Sequence, residues 1–139
     1  MDAIYTTSAT STGEGRNGHS ETEDGLLSVD VRIPKEMGGP GGATNPEQLF
    51  AAGYAACFHS ALKVVGGAEQ ADLTGTEVSA SVSIGTLASG GFGLAVELDV
   101  FAPNLDHDAA VALVAKAHEV CPYSNATRGN VDVTLSVIQ

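Results

Sequence analysis

Four segments of the chain alternate apolar and polar residues, and this alternation predicts strands that each bury one face. An earlier segment, Ile4–Thr12, is rich in threonine and predicts a further strand, which ends in a turn around Gly13–Gly18. The link Ser89–Gly91 lies between two of the alternating segments and predicts a hairpin. The four alternating segments are Leu27–Ile33, Val78–Leu87, Leu94–Val100 and Val131–Val137.

Two further segments carry helix-start signals. Asn45 suits the N-cap position, Pro46 the first helical position, and Gln48 completes a pattern similar to a capping box. The stretch that follows is apolar nearly all round, which predicts a buried central helix, Pro46–Val65, spanning roughly 30 Å. A second helix is predicted over Ala109–Val120, with Asp106 as its cap and Pro122 as its stop.

The predicted order of elements is β-β-α-β-β-α-β. This order favours an α+β fold with an antiparallel sheet and a long buried central helix, because alternating βαβ units are missing from it. No internal repeat or long linker interrupts the 139 residues, so we expect a single domain over residues 1–139.

Composition narrows the classes of partner. The formal net charge is −11, with 6 basic residues against 17 acidic ones. A surface of this sign would repel nucleic acid and anionic membranes, and we expect neither as a partner. The N-terminal residues lack a basic segment followed by an apolar one, which is the pattern of a signal peptide. We therefore expect a cytoplasmic protein.

The two cysteines, Cys57 and Cys121, admit several interpretations. Free cysteines often act as small apolar core residues, and a persistent disulfide in a reducing compartment is usually catalytic or redox-sensing. Zinc is not favoured, because Cys57 and His59 are two residues apart on a helix and cannot converge on one ion. We expect no metal and no organic prosthetic group. Cys121 directly precedes Pro122, which could open a short helical turn whose free N–H groups would favour a thiolate.

A reactive Cys57 would need a cation nearby. An unperturbed thiol has a pKa of about 8.5 and is mostly protonated at neutral pH. Among the 6 basic residues, Arg16 and Arg128 lie in glycine-containing loops that can turn an arginine inward. Glu47, in the first turn of the apolar helix, is a candidate carboxylate partner.

Three motifs resemble those of the OsmC/Ohr family of organic hydroperoxide resistance proteins. The sequence Asn-Pro-Glu-Gln-Leu-Phe-Ala-Ala-Gly-Tyr at 45–54, followed by Ala-Cys-Phe at 56–58, is similar to the core helix of that family. The sequence Cys-Pro-Tyr-Ser-Asn-Ala-Thr-Arg-Gly-Asn at 121–130 resembles the second-cysteine motif of the Ohr branch. The sequence Gly-Arg-Asn-Gly at 15–18 resembles the loop that carries the active-site arginine of that branch.

The resemblance implies a thiol-dependent peroxidase that reduces organic hydroperoxides to alcohols in the response to oxidative stress. It implies that Cys57 attacks the peroxide, that Cys121 resolves the resulting sulfenic acid to a disulfide, and that Arg16 and Glu47 form the polar frame. It also implies a dithiol reductant of the lipoamide type, carried on lipoylated proteins. An apolar site lined by residues such as Phe50, Phe58 and Met37 would favour bulky organic hydroperoxides.

The spacing of Glu47 and Cys57 adds an expectation about assembly. The two residues are ten positions apart on one predicted helix, and so lie roughly 15 Å apart along its axis. They cannot both flank one small site within one chain. We therefore expect an intertwined homodimer in which two central helices run antiparallel and each lends Glu47 to the other chain's Cys57.

Two other functions remain compatible with the residues. One is a non-catalytic binding module whose thiols are structural or sense oxidation. The other is a cysteine hydrolase, which would need a histidine relay on Cys57, with His59 and His118 as the available candidates.

Overall fold

The computed structural model describes all residues from Met1 to Gln139. The chain divides into two compact units, Met1–Leu49 and Phe50–Gln139. The predicted α+β class is confirmed, and the expectation of one domain over the whole chain stays a prediction.

The first unit contains a three-stranded antiparallel sheet with the order β1-β2-β3. Its strands are β1 (Ala9–Glu14), β2 (Asn17–Thr22) and β3 (Ser28–Asp30), and a short 3-10 helix follows at Lys35–Met37. The first predicted strand, Ile4–Thr12, therefore begins later than expected, and β2 was not predicted because its residues are mostly polar. The alternating segment Leu27–Ile33 forms only a three-residue strand, followed by an isolated parallel bridge between Val31 and Thr44.

The helix α1 (Pro46–Ala68) begins at the residue that the capping signals indicate. The backbone N–H of Gln48 donates to Asn45 Oδ1 at 2.9 Å, which satisfies one of the free N–H groups of the first turn. The helix passes through the predicted stop at Gly66 and Gly67 and ends one residue later.

The prediction that α1 is buried on every side is wrong for the single chain. Tyr54, Phe58 and Leu62 lie in the core, whereas Ala52, Ala56, Ser60 and Val64 on another side are exposed. By length and composition this helix could cross a membrane, since its most apolar stretch has a mean hydropathy of 1.3. We interpret it as a core helix because its large side chains join a single apolar cluster with the second unit's sheet and α2.

The second unit contains a mixed three-stranded sheet with the order β4-β5-β6. The predicted hairpin is confirmed as β4 (Glu77–Thr86) and β5 (Phe92–Phe101), which pair antiparallel. The last strand, β6 (Asp132–Ile138), pairs with β5 in parallel. The pairing is parallel because the two intervening helices bring the chain back to the end of the sheet at which β5 begins. The expected antiparallel arrangement therefore holds for every strand pair except this one.

Two helices separate β5 from β6. The helix α2 (His107–Val120) begins after Asp106, whose carboxylate accepts from the backbone N–H of Ala109 at 2.9 Å. The short helix α3 (Pro122–Thr127) has a proline in its first turn, as the sequence suggested. Cys121 is the single residue between the two helices, and it serves as the C-cap of one and the N-cap of the other.

Candidate active site

A bidentate ion pair joins Arg16 and Glu47 in the first unit. Arg16 lies at the tip of the turn between β1 and β2, where Gly15 adopts a left-handed φ of 59°. Its guanidinium donates from Nη2 to Glu47 Oε1 at 2.7 Å and from Nη1 to Glu47 Oε2 at 2.9 Å. Two parallel bonds of this kind fix both the distance and the orientation of the guanidinium plane.

The pair also fixes the charge of the carboxylate. The hydrogen bonds from Arg16 hold the pKa of Glu47 below its usual range, against the opposing effect of burial. The Glu47 side chain is only 13% exposed, whereas that of Arg16 is 37% exposed. Glu47 is therefore the fixed member of the pair, and the guanidinium keeps an accessible edge.

The two thiols meet in the second unit. Cys57 lies in the middle of α1 and is half-buried, Cys121 is fully buried, and both are free. Cys121 Sγ lies 3.7 Å from Cys57 Sγ, although 64 residues separate them in the sequence. Since a disulfide bond is about 2.05 Å long, a modest displacement would suffice to form one.

The surroundings of Cys57 act on its thiol in opposite directions. Burial is the largest influence and raises the pKa of Cys57, and the neighbouring thiol of Cys121 raises it further. The backbone N–H of Tyr123, in the first turn of α3, acts in the opposite direction and lowers the pKa of Cys57. The expectation that free N–H groups of α3 would serve Cys121 is therefore not met. The Cys121 side chain makes no capping bond, and the N–H group favours a thiolate on Cys57 instead.

The second unit also contains an aromatic cluster and a groove. Phe50, Tyr54 and Tyr123 pack with ring centroids 5.7 to 6.4 Å apart. Two of these rings, Phe50 and Tyr123, line a mostly apolar groove of about 430 Å³, together with Leu94, Ala126, Thr127, Asn130 and Val131.

The other two residues expected to line an apolar site lie elsewhere in the chain. Phe58 is fully buried in the core of the second unit, with its ring centroid 6.5 Å from that of His118. Met37 is exposed at the end of the 3-10 helix in the first unit.

A buried hydroxyl cluster formed by side chains of α1, α2 and α3 was not predicted. Tyr54 Oη lies 2.9 Å from Ser124 Oγ and 3.1 Å from Thr127 Oγ1, and His118 Nδ1 lies 2.8 Å from the same serine oxygen. The sequence spacing of two members indicates part of this cluster, because Ser124 and Thr127 are three residues apart and share a face of α3. The other candidate histidine, His59, bonds through Nε2 to Thr76 Oγ1 at 3.0 Å.

The four residues expected to carry the chemistry thus form two pairs, one in each unit. The first is an arginine held by a carboxylate, and the second is two reduced thiols in contact. An accessible guanidinium can stabilise a developing anion, and a pair of adjacent thiols can give up two electrons by forming a disulfide.

Comparison with known proteins gives a consistent picture. Residues 39–136 match the family model described as OsmC-like protein. The chain is 52% identical over 136 residues to an organic hydroperoxide resistance protein from Xanthomonas axonopodis pv. citri, covering 96% of this chain and 94% of that one. It is 47% identical over 138 residues to organic hydroperoxide resistance protein OhrB from Bacillus subtilis, covering 97% and 98%. A crystal structure of an organic hydroperoxide resistance protein from Legionella pneumophila superimposes with a TM-score of 0.94 at 56% identity, covering 99% of this chain and all of that one.

Proposed function

The chain belongs to the OsmC-like protein family, and we propose that within this family it is a peroxidase that reduces organic hydroperoxides to alcohols with its own thiols. The observation that carries the proposal is the 3.7 Å contact between Cys57 Sγ and Cys121 Sγ in the reduced state. The names of relatives about half identical to this chain, which refer to organic hydroperoxide resistance, support the same substrate class.

The reaction proceeds in two steps at the sulfur atoms. The thiolate of Cys57 attacks one peroxide oxygen, the O–O bond breaks, and the leaving alkoxide takes a proton to become the alcohol. Cys57 is left as a sulfenic acid. The thiol of Cys121 then attacks the Cys57 sulfur, the S–S bond forms, and the hydroxyl leaves as water with the proton of Cys121.

The first step needs Cys57 as a thiolate, and the groups around it leave its pKa raised. We assign the missing positive charge to Arg16. Its guanidinium would stabilise the thiolate and then the negative charge that develops on the leaving oxygen. Glu47 acts as the positioning residue, because its two hydrogen bonds fix the guanidinium plane.

We further propose that the active protein is a homodimer. Ten residues of helix separate Glu47 from Cys57, which corresponds to roughly 15 Å along α1. A second chain with its α1 antiparallel would bring its Arg16–Glu47 pair to Cys57 of the first. The single chain leaves surface for such a partner, since every residue of β1 and the small residues Ala52 and Ala56 of α1 are exposed. A protein that is fully active as a monomer at micromolar concentration would contradict this assembly.

The proposed substrate class rests on the groove, and the proposed reductant rests on the resemblance to the family. A groove that contains Phe50 and Tyr123 favours hydroperoxides with a bulky apolar group over hydrogen peroxide. A dithiol of the lipoamide type, free or on a lipoylated protein, would reduce the disulfide by thiol exchange in the cytoplasm. The cycle needs no metal and no prosthetic group.

Intact-mass measurement tests the proposal. The reduced protein, mixed with one equivalent of an alkyl hydroperoxide, is expected to lose the mass of two hydrogen atoms as the disulfide forms. Cys57→Ser is expected to abolish peroxide consumption. Cys121→Ser is expected to allow one turnover and to accumulate oxygenated Cys57. Continued peroxide consumption by Cys57→Ser would refute the assignment.

A further inference from the structure

The buried hydroxyl cluster consists of the side chains of Tyr54, Ser124, Thr127 and His118. Tyr54 and Ser124 are completely buried, and Thr127 is 4% exposed. All three hydroxyls find hydrogen-bond partners within the cluster. Buried polar groups that are fully satisfied in this way tend to rigidify their surroundings and to specify one arrangement.

The hydrogen bonds of the cluster have a single consistent direction. Thr127 donates its hydroxyl proton to the carbonyl oxygen of Ser124 at 3.2 Å, so its own oxygen accepts from Tyr54. Tyr54 then accepts from the hydroxyl of Ser124, and Ser124 accepts from His118 Nδ1. The four contacts can therefore all be hydrogen bonds at the same time only when His118 carries a proton on Nδ1.

The cluster joins the elements that carry the two thiols. Tyr54 lies on α1 nearly one turn before Cys57, and Ser124 and Thr127 lie on α3, which begins directly after Cys121. His118 belongs to the last turn of α2, which ends at Cys121 from the other side. The short helix α3, with its six residues, is thereby held at its middle and at its end.

We propose that this hydroxyl cluster is the positioning device for the resolving step, and that it holds Cys121 against Cys57. The proposal rests on the peroxidase function proposed above. In the resolving step Cys121 Sγ displaces hydroxide from the Cys57 sulfenic acid. The hydroxide leaves as water with the thiol proton, and the organic hydroperoxide is the oxidant that formed the sulfenic acid. The sulfur atoms must close from 3.7 Å to about 2.05 Å, so small displacements of α3 change the rate of this step.

The cluster acts on the second step and leaves the first unchanged. Attack of Cys57 on the peroxide does not involve Cys121, and none of the hydrogen bonds of the cluster involves Cys57. A weakened cluster therefore allows the sulfenic acid to form at the normal rate but delays its resolution. Under excess peroxide, a delayed sulfenic acid is oxidised further to sulfinic acid.

A matched pair of threonine substitutions tests the proposal in the full chain. Thr127→Val removes a hydroxyl from the cluster, and Thr76→Val removes an equally buried hydroxyl that bonds to His59 and to a backbone carbonyl elsewhere in the second unit. Tyr54→Phe provides a second cluster variant that preserves the shape of the side chain. Rapid quenching after addition of an alkyl hydroperoxide, followed by intact-mass measurement, gives the rate of disulfide formation.

For Thr127→Val and Tyr54→Phe we expect disulfide formation to slow by about fivefold, the factor that corresponds to one net hydrogen bond of about 1 kcal/mol. The sulfinic product under excess peroxide rises correspondingly, and Thr76→Val behaves as wild type in both measurements. Sulfenic acid formation, measured with Tyr54→Phe in a Cys121→Ser background, is expected to keep its wild-type rate. The ¹⁵N shift of His118 Nδ1 should lose its protonated signature in Ser124→Ala.

The outcomes separate the two proposals. Unchanged resolution in both cluster variants, or equal slowing of the first step in Tyr54→Phe, would overturn the positioning role. Equal slowing by Thr76→Val would overturn it too, because a general loss of packing would then account for the effect. A wild-type protein that forms no disulfide at all would instead contradict the proposed peroxidase function.

Discussion

The ion pair between Arg16 and Glu47 makes a prediction that depends only on the geometry of the first unit. Glu47→Gln keeps the size and shape of the side chain but removes its charge and one of its two acceptor oxygens. The bonds at 2.7 and 2.9 Å then reduce to one bond from a charged donor to a neutral amide oxygen. The perturbation therefore isolates the electrostatic part of the pair.

The expected loss of unfolding free energy is about 1 to 2 kcal/mol. A hydrogen bond to a charged group contributes about 1.5 to 3 kcal/mol when it is well shielded from water. Glu47 is well shielded, with 13% of its side chain exposed, but Arg16 is 37% exposed, so solvent screening lowers the value toward the bottom of this range.

The loss has a defined pH dependence. The pKa of Glu47 is lowered in the folded protein by its hydrogen bonds to Arg16. A carboxylate with a lowered pKa stabilises the fold fully above its unfolded pKa of about 4.3, and this contribution disappears as the pH falls toward the folded pKa. The difference between wild type and Glu47→Gln should thus be constant near neutral pH and should shrink below about pH 5.

Urea denaturation at a fixed protein concentration measures the difference, and Glu69→Gln is the matched control. Glu69 pairs with Lys116 on the surface, where the side chains are 45% and 54% exposed, so its loss should cost about 0.5 kcal/mol or less. Equal effects of the two substitutions, or a wild-type advantage that persists undiminished at low pH, would refute this reasoning.

Four further changes test local features. Gly66→Ala should destabilise the fold by about 1 to 3 kcal/mol, because the added methyl would lie 2.3 Å from a core leucine; thermal denaturation measures this. Gly67→Ala, with no neighbour within 4 Å, should stabilise α1 by up to about 1 kcal/mol in the same measurement. Asp106→Ala removes the cap of α2 and should cost about 1 kcal/mol in urea denaturation. Arg16→Gln should slow alkylation of Cys57 near neutral pH by about tenfold, because it removes the positive charge proposed to favour the thiolate, while Arg32→Gln should leave the rate unchanged.

The sequence predicted those parts of the fold that local chemistry determines. Asn45 and Pro46 located the start of α1 to the residue, because a capping side chain and a proline act on the turn that contains them. The β4–β5 hairpin followed from its alternation and its glycine turn. These features need no knowledge of the rest of the chain.

Features that depend on distant partners were not predicted. The strand Asn17–Thr22 contains no apolar periodicity, and it forms by pairing with β1 on one side and β3 on the other. The parallel addition of β6 depends on the path of two helices, which alternation within a strand does not reveal. The burial of α1 was overestimated, because an apolar helix face indicates that another surface packs on it but does not indicate whether that surface belongs to the same chain.

The candidate site, like the fold, depends on contacts between residues that are distant in the sequence. Residue spacing alone left Cys57 and Cys121 open to several interpretations, and the resemblance to a family supplied their pairing. The sequence did not predict the hydroxyl cluster, because tyrosine, serine and threonine are common on surfaces. Only the packing of α3 against α1 makes these side chains buried hydrogen-bond partners.

The separation of the two cysteines along the chain has a thermodynamic consequence. A bond between residues 64 positions apart would close a loop that restricts the unfolded chain. In the loop-entropy model this stabilises the oxidised form by up to about 4 kcal/mol relative to the reduced form. Formation and reduction of this bond would therefore raise and lower the free energy of unfolding, so that a reductant would work against folding free energy as well as against the S–S bond. The melting temperature of a sample would then report what fraction of its molecules is oxidised.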